Sequence, residues 1–256
     1  LPGTPCDEIE DSEIVDAAWG CLGCSGFPQE VVCTPTQVGD TCCYDVLYEE
    51  GQSCPGRPFT IEGEARLPPT VSGTDWGRAP EVHAHELDAE ERAALARAWE
   101  LEGAFEAASV ASFSRFVLEL LACGAPVSLV AAAQRAVAEE IEHARLCYGL
   151  AARYGGAPRG PGALDIQGAL LDASDPDSIA ERLAAEGCIA ETISALQLQV
   201  AAARAEDPGL RAELSRVAEQ ELQHAELAWR ALGWMMGQGD DALRARVAAV
   251  FADPGR

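Results

Sequence analysis

The feature that most constrains the fold is a repeated segment in which acidic and imidazole side chains recur at the same spacing. The motif Glu140-Ile-Glu-His143 returns as Glu221-Leu-Gln-His224, and the surrounding residues align without a gap over 135–146 and 216–227. An internal repeat of this kind indicates a duplicated unit that faces its own copy.

Both motifs suit one face of a helix, because residues three apart lie side by side there. Val137, Ala144 and Cys147 share the stripe that contains Glu140, so this carboxylate is predicted to face the core. A buried carboxylate is costly unless it is paired or bound to metal. Two equivalent motifs therefore predict a metal centre; the alternative is buried Glu–His or Glu–Arg hydrogen bonding without metal.

The chain around the motifs is rich in Ala, Leu, Glu and Arg, which favour helices. Five helices are predicted, over about 88–122, 127–154, 178–205, 210–236 and 240–252. Short links join the first two helices and the next two, whereas a long Gly- and Pro-rich link, 157–177, separates the pairs. One long crossover between two helical hairpins is the ferritin-like arrangement. The predicted fold is all-α: a ferritin-like four-helix bundle over 88–238, then a short C-terminal helix in 239–256.

A two-metal site also needs carboxylates from the other two helices. Glu106 lies among small and apolar residues of the first helix, and Glu186 shares a stripe with Leu183, Ala190 and Ile193 of the third. Glu102 and Glu191 are secondary candidates on the same helices.

The predicted site thus combines four carboxylates with two imidazoles: Glu106, Glu140, His143, Glu186, Glu221 and His224. Oxygen and imidazole donors suit two iron ions, with manganese as the second choice. A structural zinc site would not require six ligands.

These residues resemble the ferritin-like (rubrerythrin/ferritin-like, di-iron carboxylate) superfamily across about 88–236. The runs 139–146 and 224–229 look like bacterial ferritin-like domain proteins in particular. The resemblance implies that the six residues are metal ligands and that Glu140 and Glu221 bridge the two ions. The family places a His directly after the first-helix Glu, and Ala107 stands there in this chain.

Residues 1–80 form a segment rich in Cys, Gly and Pro with little helical periodicity, and seven of the ten cysteines lie in its first 54 residues. Disulfides are favoured over a thiolate metal or iron–sulfur site, because the gaps are irregular and Cys42 adjoins Cys43. Cys123, Cys147 and Cys188 are predicted core residues. The cysteine content, and a start at Leu1 without Met or signal peptide, lead us to expect a processed chain in the periplasm or outside the cell.

The net charge and the hydropathy of the chain limit the kinds of partner that it can bind. The net charge of −24 argues against nucleic acid, whose phosphates require a basic surface. No run of about 18 apolar residues occurs, so no membrane span is predicted. Oligomerisation is left open.

Three functions fit this sequence. The first is an O2-using di-iron oxidase or oxygenase, a non-haem oxidoreductase that acts on a small-molecule or peptide substrate. The second is iron handling by ferroxidase activity or storage. The third is a non-catalytic binding protein in which the metal staples the helices. An apolar pocket of several hundred Å3 beside the metals would favour the enzyme, and a closed site would count against it.

Overall fold

The structure is a computed structural model that describes residues 56–73, 75–81, 87–171 and 173–252, and the backbone of four short strands between residues 27 and 49. The chain forms two compact units, Leu1–Cys54 and Pro55–Arg256. All seven N-terminal cysteines lie in the sequence of the first unit, whereas the predicted segment 1–80 extends beyond it. The side chains of the seven N-terminal cysteines lie outside the described residues, so their disulfides stay a prediction.

The strands of the first unit form two antiparallel pairs. Strand β1 (Phe27–Val31) pairs with β4 (Val46–Glu49), with a register shift in β1, and β2 (Thr36–Val38) pairs with β3 (Thr41–Cys43).

The second unit contains five helices in the described residues: α1 (Ala89–Ala122), α2 (Val127–Gly155), α3, α4 (Pro208–Gln238) and α5 (Asp241–Ala252). Helix α3 has three consecutive parts, which are α-helical (Pro176–Arg182), π-helical (Leu183–Ala190) and again α-helical (Glu191–Arg204). The prediction of a mostly helical chain is confirmed for these residues. Among them, no helix has both the length and the apolar character that a membrane span needs.

The sequence sets the helix ends through local caps. The Asp88 carboxylate accepts hydrogen bonds from the N–H groups of Glu90 and Glu91, and the Glu91 carboxylate accepts one from the Asp88 N–H, so α1 begins with a capping box. At the start of α4 the Asp207 carboxylate accepts hydrogen bonds from the N–H groups of Gly209 and Leu210. Helix α2 ends at Gly156, whose φ of +75° is the left-handed conformation that glycine adopts readily.

The main core lies between α1, α2, α3 and α4, which pack as two hairpins, and α5 covers one end of it. Its larger side chains are Phe113, Phe116, Leu120, Leu129, Ile179, Leu183, Leu227, Leu232, Met235, Leu243 and Val247. Cys188 lies in this core and Cys147 is also buried, while Cys123 is half-buried at its edge.

The segment before α1 packs against the helices. Phe59 and Ile61 form a small core with Ala108 of α1. Strand β5 (Thr60–Ile61) pairs with β6 (Glu64–Ala65), and β7 (Thr70–Ser72) pairs with β8 (Arg159–Pro161) in the crossover after α2.

Further along the same segment, the backbone crosses α2 at Gly149. The Arg78 N–H donates to the carbonyl oxygen of Arg145 at 2.8 Å. A Cβ on Gly149 would lie 2.3 Å from the Arg78 carbonyl carbon and 2.6 Å from the Ala79 nitrogen. Only glycine lets the two backbones approach this closely.

We expect Gly149→Ala to lower the free energy of unfolding by about 1–3 kcal/mol, because the added methyl group must push a backbone segment away. Urea unfolding followed by circular dichroism measures the change. Gly233→Ala is the matched control: it also lies in a helix, a Cβ added there would meet no atom within 4 Å, and the change should add about 0.5–1 kcal/mol. Equal effects of the two variants would contradict the packing argument.

Candidate metal centre

Six side chains from four helices meet in the core as two overlapping groups. The first group is Glu106, Glu140, His143 and Glu221, and the second is Glu140, Glu191, Glu221 and His224. Within each group, the atoms able to bind a metal all lie within 4.8 Å of one another. We call these six residues the six-residue cluster; Glu140 and Glu221 belong to both of its halves.

The cluster is buried, and its inward-facing atoms have no hydrogen-bond partner outside the cluster. Glu106 is the most exposed member at 8%. These atoms are one oxygen of Glu106, both oxygens of Glu140, Glu191 and Glu221, and the Nδ1 atoms of His143 and His224. Because buried charged groups are costly unless they are paired or bound to a cation, this concentration of oxygen and nitrogen atoms forms a site that could hold metal ions.

The distances within the cluster fit shared ligation. His143 Nδ1 lies 2.9 Å from Glu221 Oε1, and His224 Nδ1 lies 3.0 Å from Glu140 Oε1. Two ligand atoms bound about 2.1 Å from one ion, at right angles, are roughly 3.0 Å apart. The residues present therefore fit one metal ion in each half.

Each imidazole is fixed by its outer nitrogen. His143 Nε2 lies 3.0 Å from Gln220 Oε1, and His224 Nε2 lies 2.8 Å from Glu139 Oε2. Because these oxygens accept hydrogen bonds, each Nε2 carries the donated proton and each Nδ1 can present a lone pair to the cluster.

Burial and mutual repulsion perturb the ionisation of the cluster. Burial, together with a neighbouring carboxylate, raises the pKa of Glu106 and of Glu191 well above the usual range. Burial also acts to raise the pKa of Glu221, but the two imidazoles outweigh it and hold this pKa well below its usual range. Burial lowers the imidazole pKa, yet the facing carboxylates raise the pKa of His143 and His224 well above the usual range. Without metal, these groups hold protons that a metal would displace.

The structure does not bring Glu186 into either half. The carboxylate of Glu186 accepts two hydrogen bonds from Arg115 Nη2, at 2.7 and 3.0 Å, and others from Ser112 and Thr60. Glu102 is partly buried and also belongs to neither half. Glu191, a secondary candidate in the sequence, lies in the second half.

The π-helical part of α3 explains why Glu191, and not the predicted Glu186, lies in the cluster. A π-helix has more residues per turn than an α-helix, so it rotates the faces that follow it. Ile193, predicted to share a buried stripe with Glu186, is 45% exposed, whereas Glu191 and Cys188 are fully buried. π-helical turns are frequent at functional sites.

Residues 56–61, which we call the strap, run against the second half of the cluster at Gly56. A Cβ on Gly56 would lie 3.2 Å from Glu221 Oε2 and 3.4 Å from Glu191 Oε2, so the strap backbone runs directly against the second half. Sequence reasoning did not identify Gly56 as part of the site, because this stretch has no periodicity. Its proximity to the ligands leaves little room for a bound organic molecule at that position.

Arg57 anchors the strap in the core. Its side chain is 1% exposed, and its guanidinium lies 4.3 Å from the ring centre of Phe116. Arg57 Nε donates to Ser112 Oγ at 3.1 Å, and Ser109 Oγ donates to the Arg57 carbonyl oxygen at 2.7 Å.

Two of the surface cavities in the described part of the chain have volumes of about 370 and 250 Å3. Gln199, Ser215 and Leu222 line the first, and Trp76 and Arg145 line the second. Neither is lined by a residue of the six-residue cluster.

Comparison of the chain with protein-family models, with curated proteins and with solved structures finds no match. What can be said of the site therefore comes from its own residues.

We expect Mn(II) or Co(II) to raise the melting temperature of the metal-free protein. An ion that binds only the folded state at 100 times its dissociation constant adds about 2.7 kcal/mol, or roughly 5–10 °C for a chain of this size. The double variant Glu140→Ala with His224→Ala should lose this rise, as followed by calorimetry. Glu226→Ala, an exposed carboxylate on the same helix as His224, is the control. A full rise in the double variant would rule out the cluster as the binding site.

Proposed function

We propose that this chain is a ferritin-like di-metal carboxylate protein that binds two iron ions and reacts with O2. The observation that supports the proposal is the six-residue cluster, whose unpaired oxygen and nitrogen atoms face one another in two halves with two shared carboxylates.

The arrangement of the helices supports the ferritin-like part of the proposal. Helices α1 and α2 form one hairpin and α3 and α4 another, with the long segment 156–175 between them. One Glu from each of two helices, with Glu-x-x-His from each of the other two, is the constellation of carboxylate-bridged di-iron bundles. Here Glu106 and Glu191 are the single carboxylates.

The donor set supports iron. Four carboxylates and two imidazoles are hard and borderline donors, which suit iron and also manganese. A structural zinc ion would take four ligands in a closed tetrahedron and would leave part of this set unused.

Two ferrous ions bound here would supply one electron each to O2, which would take up two protons to give H2O2 and leave two ferric ions. The chain would contribute the environment for that chemistry. Glu140 and Glu221, which belong to both halves, would hold both ions, and Gln220 and Glu139 would keep the imidazoles in the ligating tautomer. Burial of the cluster excludes bulk water, which strengthens every charge interaction inside it.

Among reactions with O2, the strap favours iron handling by ferroxidase activity over oxidation of an organic substrate. Gly56 lies directly against Glu221 and Glu191 of the second half. Such a site suits reactants as small as O2 and the iron ions themselves. An oxygenase acting on a small molecule or peptide would require the strap to move.

The disulfides and the location of the chain are also part of the proposal. We propose that residues 1–80 carry disulfides and that the chain works in the periplasm or outside the cell, because its cysteines are concentrated in a Gly- and Pro-rich segment. A metal that only staples the helices would give the same structure without the reaction with O2.

Anaerobic loading of the metal-free protein with Fe(II), followed by O2, tests the function. We expect about two irons per chain, an absorption change on admission of O2, and one O2 consumed for each pair of irons oxidised. Continued turnover with excess Fe(II) would identify a ferroxidase. Bound iron that stays unreactive toward O2 would leave the metal as a staple, and no bound iron would refute the proposal.

A second experiment examines access to the metals. Arg57→Ala removes the buried anchor of the strap, and the lost cation–π contact of about 1–2 kcal/mol should speed metal release to an excess of chelator on the order of tenfold. Stopped-flow absorption of the chelator complex measures the rate. Arg66→Ala, which removes a partly exposed arginine paired with Glu64 after the strap, is the control. Identical rates in the two variants would show that the strap does not limit access.

A further inference from the structure

The two halves of the cluster differ at one pair of equivalent positions outside the ligands. Glu139 and Gln220 each precede a Glu of the repeated motif, so they are counterparts in the internal repeat. Each reaches across to the histidine of the opposite helix: Gln220 to His143 at 3.0 Å, and Glu139 to His224 at 2.8 Å. The geometry is nearly the same in the two halves, but one acceptor is a carboxylate and the other is an amide.

We propose that Glu139 makes the half formed by Glu191 and His224 the tighter of two inequivalent metal positions, which fills first. Glu139 is a positioning residue that acts through the imidazole of His224. The inference rests on the proposed function, because it concerns the order of binding at the same two-metal site.

The charges near the two acceptors add to the difference between the two halves of the cluster. Gln220 Oε1 also accepts a hydrogen bond from Arg216 Nη1 at 2.5 Å, so a cation lies behind the neutral amide. Arg135, the counterpart of Arg216 in the repeat, is exposed. His224 therefore donates its proton toward an anion, whereas His143 donates toward a neutral group that a cation polarises.

A carboxylate acceptor draws the Nε2 proton of an imidazole toward itself and makes the Nδ1 lone pair a stronger donor. Changes to such partners of metal-bound histidines alter metal affinity by about 10–100-fold. The side chain of Glu139 is 28% exposed, so water weakens its effect. We therefore expect the metal affinities of the two positions to differ about tenfold, the lower end of that range.

The two positions can be told apart by removing the carboxylate that each half holds alone. Glu106 contributes to the first half and Glu191 to the second. Titration of the metal-free protein with Co(II), followed by calorimetry and by the visible absorption of the ion, should show two binding steps. Glu191→Gln should abolish the tighter step and Glu106→Gln the weaker one.

The assignment to Glu139 is tested with isosteric variants. Glu139→Gln should lower the affinity of the tighter step about tenfold, so that the two steps merge, and should shift the absorption of the Co(II) bound there. Gln220→Glu should raise the affinity of the weaker step. The rise should be less than about tenfold, because Arg216 lies beside the new carboxylate and offsets part of its charge. Glu226→Gln and Gln223→Glu make the same changes of charge at exposed positions on α4 and are the matched controls.

The outcomes separate the inference from the function on which it rests. Two Co(II) ions bound with equal affinity in the unaltered protein, or two steps unchanged by Glu139→Gln, would overturn the inference and leave the two-metal site intact. A change of the same size in the control variants would show a general effect of charge and would also overturn it. Absence of Co(II) binding would refute the proposed function itself.

Discussion

The repulsion among four buried carboxylates is the constraint on which the rest of the second unit depends. Glu106, Glu140, Glu191 and Glu221 share one small volume in a helical core, where burial removes the bulk solvent that would screen their charges. Two imidazoles can offset part of that charge by holding protons, but a pair of divalent cations would offset all of it. The helices bring these side chains together from four directions, which no local stretch of chain could do.

Internal duplication explains why the cluster is nearly symmetrical, and the departures from symmetry show where the two halves have diverged. The ungapped repeat covers only 135–146 and 216–227, and the carboxylate that each half holds alone, Glu106 or Glu191, lies outside it. A Cβ on Gly187 would lie 2.7 Å from the Cβ of Ala228 and 2.9 Å from Arg57 Nη1, so α3 packs closely against α4 and the strap at this point. The π-helical part of α3 turns Glu191 inward to complete the second half.

The sequence was sufficient for the helices and for the residues of the repeated motif, because both follow from the ordinary helical period. Glu140, His143, Glu221 and His224 lie where their spacing predicts. Glu191 was harder to identify than Glu186, because a local change of helical period leaves no mark in an apolar pattern. The strap was not predicted at all. Gly56 and Arg57 lie in a Gly- and Pro-rich stretch, and their role comes from tertiary contacts that sequence spacing does not encode.

The closed surroundings of the site and its charge both favour small, negatively charged reactants. Four carboxylates and two divalent ions are together neutral, which is the state a buried site holds at least cost. Oxidation of both ions would leave two positive charges in the core, and Glu139, hydrogen-bonded to His224, would offset one of them. The strap limits what else can enter to compensate the other. On the proposed function, hydroxide formed from water is small and negatively charged and so meets both requirements, whereas a bulky neutral substrate meets neither.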